Sequence, residues 1–223
     1  MKKLLGMFIL VLILSGCEEY DPQAPVKSEA VKWTDGIVYY KFDPAFPQEK
    51  RELVKQGMDE FEMVSSLSFV EIQSTKGIKY YCTIISGEAN YTTHIGMHKN
   101  IKLVLFNRDV KGVLLHELGH LIGLEHEHSR EDRDSYIKIH WENIIENNEF
   151  NFVVVKQQLI PYKKFQYDEK SIMHYHAYDF TKNGEATISS DIFLRVGSFV
   201  NSFSQTDIKK IQYLYHERYA IVK

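Results

Sequence analysis

Residues 116 to 126 read HELGHLIGLEH, and no other stretch limits the fold and chemistry of this chain as tightly. The segment lies in an apolar run that includes Val113, Leu114, Leu115, Leu118, Leu121, Ile122 and Leu124, the composition of a buried helix. His116 and His120 are one turn apart on one face of that helix, so their imidazoles can converge on a single ion. Gly123 allows a backbone conformation that a residue with a Cβ resists, so the helix can stop there and the chain can swing His126 toward the same point. Three neutral imidazoles leave a coordination position open for water, the pattern of a catalytic rather than a structural zinc site. Glu117 directly follows the first ligand, beside that water, and is the candidate general base. Left unpaired in an apolar helix, these histidines and the glutamate would be costly to bury, which weighs against a purely structural role.

A chain of 223 residues is long enough for one domain with a sizeable core, or for two lobes flanking a cleft. Its net charge of −3, with no basic stripe to track phosphates, argues against a nucleic-acid partner. At the start, Lys2 and Lys3 precede an apolar run from Leu4 to Leu14, too short for a comfortable membrane span and shaped like an export signal. It ends Leu14, Ser15, Gly16, Cys17, which resembles a bacterial lipobox; Cys17 would be lipidated and become the new N-terminus after residues 1–17 act as signal. An ordinary secretory signal is the alternative, and both readings export the protein. The expected location is the cell envelope, with the chain anchored to a membrane through Cys17 and facing the periplasm or the exterior. With Cys17 acylated, Cys82 has no disulfide partner, and its apolar, alternating surroundings suit a small packed side chain.

Residues 18–30 are acidic, contain two prolines and lack periodicity, as a flexible tether would, so the globular body is expected from about Val31 to the C-terminus. Gly36 to Phe42 alternates as a strand. Pro47 to Ser65 has the spacing of an amphipathic helix with Leu53, Val54, Met58, Phe61 and Val64 inward. Further strands are expected at 68–73, 79–85 and 101–106, the last nearly all apolar and hence interior. Residues 86–100 are polar, and His94 and His98 there do not read as a second metal site. Asp109 is the expected N-cap of the metal-binding helix. Residues 141–158 are expected to carry a helix, and Ser204 with Asp207 opens a C-terminal one through an acidic capping box.

His116, Glu117, His120, Gly123 and His126 together match the long zinc signature of the metzincin peptidases. The run from His116 to Ile145, and SIMHY at 171–175, resemble the zinc helix and Met-turn of the astacins, a metzincin family of zinc endopeptidases. Trp33, Tyr167, Asp168, Ala186 to Ser189 and Phe203 to Tyr215 resemble astacin positions as well, so the likeness covers nearly the whole body.

The resemblance implies an α+β, two-lobed fold: an upper lobe, about 31–126, with a twisted, mostly parallel sheet and the zinc helix, and a lower lobe, about 127–223, largely irregular apart from a C-terminal helix. It implies one catalytic zinc held by His116, His120 and His126, with Tyr175 as a fifth ligand that swings away to stabilise the oxyanion. Met173 would be an apolar support beneath the metal, and Glu127 resembles a residue that contacts the buried N-terminus of the mature enzyme. His174 is assigned no metal role. Protein or peptide substrates would bind extended along an edge strand of the upper lobe, and a monomer is expected. The family's disulfides and a full pro-segment with a zinc-blocking aspartate are not evident, so the usual zymogen control is expected to be absent; with Cys17 acylated, the N-terminal contact to Glu127 would need a further cut, so a latent form and further N-terminal processing both stay open. The alternative from another class is a non-catalytic binding or adhesion module that keeps zinc for structure alone; Glu117 discriminates, because such a module has no use for a base beside an open metal position.

Overall fold

The computed structural model, which describes residues 21, 23–106, 111–192 and 201–216, begins with a two-residue strand, β1 (Val26–Lys27). The segment expected to be a tether is thus partly held in the fold: β1 pairs with Val155–Lys156, the Ser28 hydroxyl donates to Glu125 Oε1 at 2.5 Å, and Val31 bridges to Gly96. Strand β2 (Ile37–Phe42) follows, and its alternation turns Val38, Tyr40 and Phe42 into the core. Helix α1 (Gln48–Val64) starts after Pro47 and buries Val54, Met58 and Phe61, with Leu53 and Val64 packed at the margin. Then come β3 (Ser68–Glu71), β4 (Cys82–Gly87), β5 (Tyr91–Thr92) and β6 (Ile101–Phe106).

These strands form one five-stranded sheet in the order β3-β2-β4-β6-β5. All neighbours are parallel except β5, which runs antiparallel along the outer edge of β6. The apolar strand β6 is interior, flanked on both sides, as its composition demands. Cys82 is fully buried at the start of β4, and burial pushes its thiol up to about 12.

Helix α2 (Lys111–Ile122) carries the metal motif and packs against α1. The two approach closely at Gly57, where a Cβ would meet Leu114 Cδ2 at 2.9 Å. Asp109, the expected N-cap, lies outside the described residues, as do the leader and Cys17. The last helix, α3 (Gln205–Tyr215), has the expected capping box: Ser204 Oγ accepts from Asp207 N at 2.9 Å and Asp207 Oδ2 from Ser204 N at 2.9 Å. Ile211, Leu214 and Tyr215 of α3 join the core shared by the sheet, α1 and α2.

Between α2 and α3 the chain is irregular, with two-residue strands β7 (Lys138–Ile139), β8 (Val155–Lys156) and β9 (Ile188–Ser189). The helix expected over 141–158 is absent. In its place are short 3₁₀ turns at Trp141–Asn143 and Glu149–Phe152, then β8. The apolar residues that suggested helical periodicity serve a separate core instead, with Ile144 and Phe152 packed against Ile137, Ile139, Tyr167 and Ile188. Asn147 takes a positive φ of 64°, which stops a helix, and Val153 to Val155 have β-branched side chains that suit an extended backbone. Among the described residues no helix is long and apolar enough to cross a membrane.

Candidate metal centre and cleft

The end of α2 is built to turn the chain sharply. Gly123 has φ +108°, its N–H donates to His120 O at 3.0 Å, and Leu124 N donates to Gly119 O at 2.9 Å, the two bonds of a Schellman motif. The remaining free carbonyls of the last turn are also satisfied: Trp33 Nε1 donates to Leu121 O at 2.7 Å and the Tyr215 hydroxyl to Ile122 O at 2.5 Å. This explains two aromatics far from the motif in sequence. They fix the exit of the helix, and therefore the place where His126 returns.

His116, His120 and His126 converge as the spacing requires, with their metal-ligating atoms all within 4.8 Å of one another. His126 Nε2 lies 3.2 Å from His116 Nε2 and 3.1 Å from His120 Nε2. His116 Nδ1 donates to Ile172 O and His120 Nδ1 to Leu124 O, both at 2.8 Å. Because a carbonyl only accepts, these bonds fix the proton on Nδ1 and leave both Nε2 lone pairs facing inward. Converging lone pairs repel unless a cation lies between them, and nitrogens about 2.05 Å from one tetrahedral zinc would stand about 3.3 Å apart. The donor set therefore fits one zinc ion. Burial and mutual repulsion hold His120 down to about 3 and His126 well below the ordinary imidazole range, so both are neutral and ready to bind metal.

The support for His116 extends to α3. Asp207 is fully buried, accepts from Ser171 Oγ at 2.6 Å and from Ile172 N at 2.9 Å, and so ties the capping box of α3 to the residue whose carbonyl orients His116. Met173 follows. It is buried beneath the helix, so close that a Cβ on Gly119 would meet its Sδ at 2.6 Å.

Glu117 faces a cavity of about 580 Å³ that His116, His120, His126 and Tyr175 also line. The Thr92 hydroxyl lies 3.0 Å from both Glu117 Oε2 and Glu117 O, so the outer strand β5 touches the candidate base directly. Desolvation pushes the Glu117 carboxyl up to about 7, against the opposing pull of Thr92. Across the cavity the Tyr175 ring packs at 4.5 Å from His126 and stacks on His128 at 4.0 Å. Burial raises its phenol, with Asp179 and then Glu117 adding to the effect.

Glu127 is buried and its carboxylate is fully engaged within the described chain. Oε1 accepts from Arg130 Nη1 at 2.8 Å and Asp168 N at 2.9 Å, and Oε2 pairs with Lys210 Nζ of α3. Both ring nitrogens of His174 are in hydrogen bonds, to Tyr175 O and the Tyr167 hydroxyl. His94 and His98 stack at 3.7 Å on the surface and are not part of the three-histidine cluster. Sequence reasoning missed Thr92, which sits in a polar stretch with no motif, and His128, the second histidine of EHEHS, whose ring supports Tyr175. It also missed Asp179, four residues past the Met-turn.

A model of the astacin peptidase family matches residues 25–216. Among curated proteins, zinc metalloproteinase nas-6 of Caenorhabditis elegans is 31% identical over 203 residues, covering 87% of this chain and 58% of that protein. Astacin-like metalloendopeptidase of Gallus gallus is 32% identical over 197 residues, covering 82% of this chain and 45% of that protein. Among solved structures, high choriolytic enzyme 1, a hatching enzyme zinc-protease from Oryzias latipes, superposes with a TM-score of 0.70 at 26% identity, over 82% of this chain and 91% of that one. Myroilysin, at 19% identity and a TM-score of 0.56, shares the fold. The chain spans between 37% and 58% of the length of three of the curated relatives it matches.

Proposed function

The chain belongs to the astacin family, and from that premise we propose that it is a zinc-dependent endopeptidase that hydrolyses internal bonds of protein or peptide substrates. The observation that carries the reading is the convergence of three inward-facing Nε2 atoms with Glu117 and Tyr175 on one open cleft. His116, His120 and His126 would hold the zinc, with Tyr175 as an additional ligand at rest; when bound, the ion supplies Lewis acidity toward a peptide carbonyl and toward water.

The chain's own groups do the rest. Glu117 takes a proton from the attacking water and delivers it to the leaving amine, a two-way role suited to a carboxyl shifted toward neutrality. Tyr175, kept protonated by burial, donates a hydrogen bond to the oxyanion of the tetrahedral intermediate. Thr92 holds the Glu117 carboxylate in place. Among the described residues β5 is the outermost strand of the sheet, at the rim of the cleft, and an extended peptide added along it would pass Glu117 on its way to Tyr175.

A non-catalytic binding module would not need a general base held beside the metal by a threonine, and Glu117 with Thr92 favours the enzyme. The reading extends to an exported, membrane-anchored form lipidated at Cys17, a step that rests on the leader sequence alone. The test is hydrolysis of denatured protein by the full chain: activity lost to a chelator and restored by stoichiometric zinc supports the reading, and chelator-resistant cleavage, or none with zinc loaded, refutes it.

A further inference from the structure

The lower wall of the cleft holds a carboxylate that peptide hydrolysis does not require. Asp179 lines the same cavity as Glu117 and Tyr175, and it is held in a tight turn: its Oδ2 accepts from His176 N at 2.8 Å, and its backbone N–H donates to His176 O at 3.1 Å. That turn fixes where the carboxylate points; burial pushes its carboxyl up, while the His176 N–H and the electrostatic influence of the His176 side chain, on the same cavity wall, pull it back. Asp179 shares the wall of this cavity with Glu117 and Tyr175, and its chain neighbour Phe180 packs 5.6 Å from the Tyr175 ring, so the carboxylate belongs to the cleft that holds the reacting centre.

Its surroundings are aromatic. Phe180, next in the chain and part of the cavity wall, takes a positive φ of 56°, is 37% exposed, and lies 5.6 Å from the Tyr175 ring and 6.1 Å from Phe152. A bulky residue at positive φ is a costly conformation, and here it turns the backbone immediately after Asp179. Among the described residues that line the cavity there is no lysine or arginine, and the basic side chain that acts on the carboxylate is His176, an imidazole rather than a permanent cation. A half-buried carboxylate beside aromatic faces is the chemistry that recognises an alkylammonium or a guanidinium, through a charge-assisted hydrogen bond and cation–π contact. Burial already penalises the Asp179 charge, and an incoming cation relieves that penalty, whereas an acidic side chain would deepen it.

On the reading of the chain as a zinc endopeptidase, we infer that Asp179, walled by Phe180 and Tyr175, forms a subsite beside the scissile bond that selects substrates with a lysine or arginine side chain at one fixed position. The carboxylate acts in binding and discrimination, not in the bond-breaking step.

The experiment uses the zinc-loaded full chain and a mixed peptide library, with cut sites read by mass spectrometry, followed by kcat/KM for a matched pair of peptides differing only by lysine or leucine at the enriched position. Expected are enrichment of lysine and arginine at a single position and a lysine-to-leucine ratio that falls about 10-fold or more in Asp179→Asn. Asp179→Glu, which keeps the charge, should retain part of the ratio, and raising ionic strength should lower it in the parent. Cleavage without basic enrichment, or a ratio unchanged in Asp179→Asn, overturns the subsite and leaves the peptidase reading intact. If both variants fail to fold, the parent's profile decides by itself: no enrichment sinks the proposal. A parent that cuts nothing refutes the peptidase reading and this inference with it.

Discussion

Removing either end of the buried pair between Glu127 and Lys210 should be among the most damaging changes outside the metal ligands. The side chains of Glu127 and Lys210 are only 3% and 9% exposed, and that of Arg130, the second cation on Glu127, is 4% exposed. Glu127→Gln would keep the shape but leave Lys210 facing an uncharged amide in a dry environment, a loss of about 3–5 kcal/mol by comparison with other broken buried pairs. Lys210→Met should cost less, about 3 kcal/mol, because Glu127 would keep Arg130 and the Asp168 N–H. Arg130 is insured separately by a bidentate pair with Asp132 and by the carbonyls of Tyr162, Phe165 and Gln166. The double variant, with neither charge left, should therefore recover part of the loss, with a coupling of about 2 kcal/mol between the two sites. Guanidinium unfolding of the four zinc-loaded proteins measures this directly, and the single changes should lower the melting temperature by about 6–20 °C. Losses below about 1 kcal/mol that simply add would show that the pair is solvated and would refute the reasoning.

Three further outcomes follow from the same geometry. Gly123→Ala places a Cβ at φ +108° and 3.0 Å from Leu159 Cδ1, so it should destabilise the fold by about 1–3 kcal/mol and weaken zinc retention in competition with a chelator; parent-like retention would mean that the turn does not place His126. Tyr175→Phe should keep the zinc yet lower kcat by about 10²-fold, as expected for loss of one oxyanion donor, with KM little changed; unchanged kcat would remove Tyr175 from the chemistry. Cys82, whose thiol is raised from 9.0 to about 12 by complete burial, stays protonated below pH 9, so the folded state gives up stability only as pH climbs from 9 toward 12. Iodoacetamide at about pH 8, below that window, should leave the peptide containing Cys82 unmodified until denaturant is added, and rapid labelling of native protein would place that thiol at the surface.

Elements whose reason is local were legible in the sequence. The metal helix, α1, β2, β6 and the capping box of α3 each follow from periodicity or from a capping residue within a few positions. The misreading over 141–158 has a physical origin: Ile144 and Phe152 are apolar because they fill the second core beneath the cleft, and helical spacing there is a coincidence of packing. Strand β5 has only two residues, too short for any alternation to register, yet it brings Thr92 to Glu117. The roles of Trp33, Tyr215 and Asp207 at the ends of α2 and behind His116 span 88, 93 and 35 residues of chain, respectively, and no sequence window contains both partners. The triad itself was readable because a single turn and one glycine bring it together, whereas the groups that orient it are long-range by construction.

The most direct test of the account is a paired measurement on Glu117→Gln: zinc content per chain and peptide hydrolysis on the same preparation. The three histidines are untouched by the change, so the account predicts one zinc per chain, as in the parent, with hydrolysis reduced by at least about 10²-fold through loss of the general base. A variant that keeps its zinc and hydrolyses peptide at the parent's rate would contradict the assignment of Glu117 and, with it, the catalytic reading of the cleft.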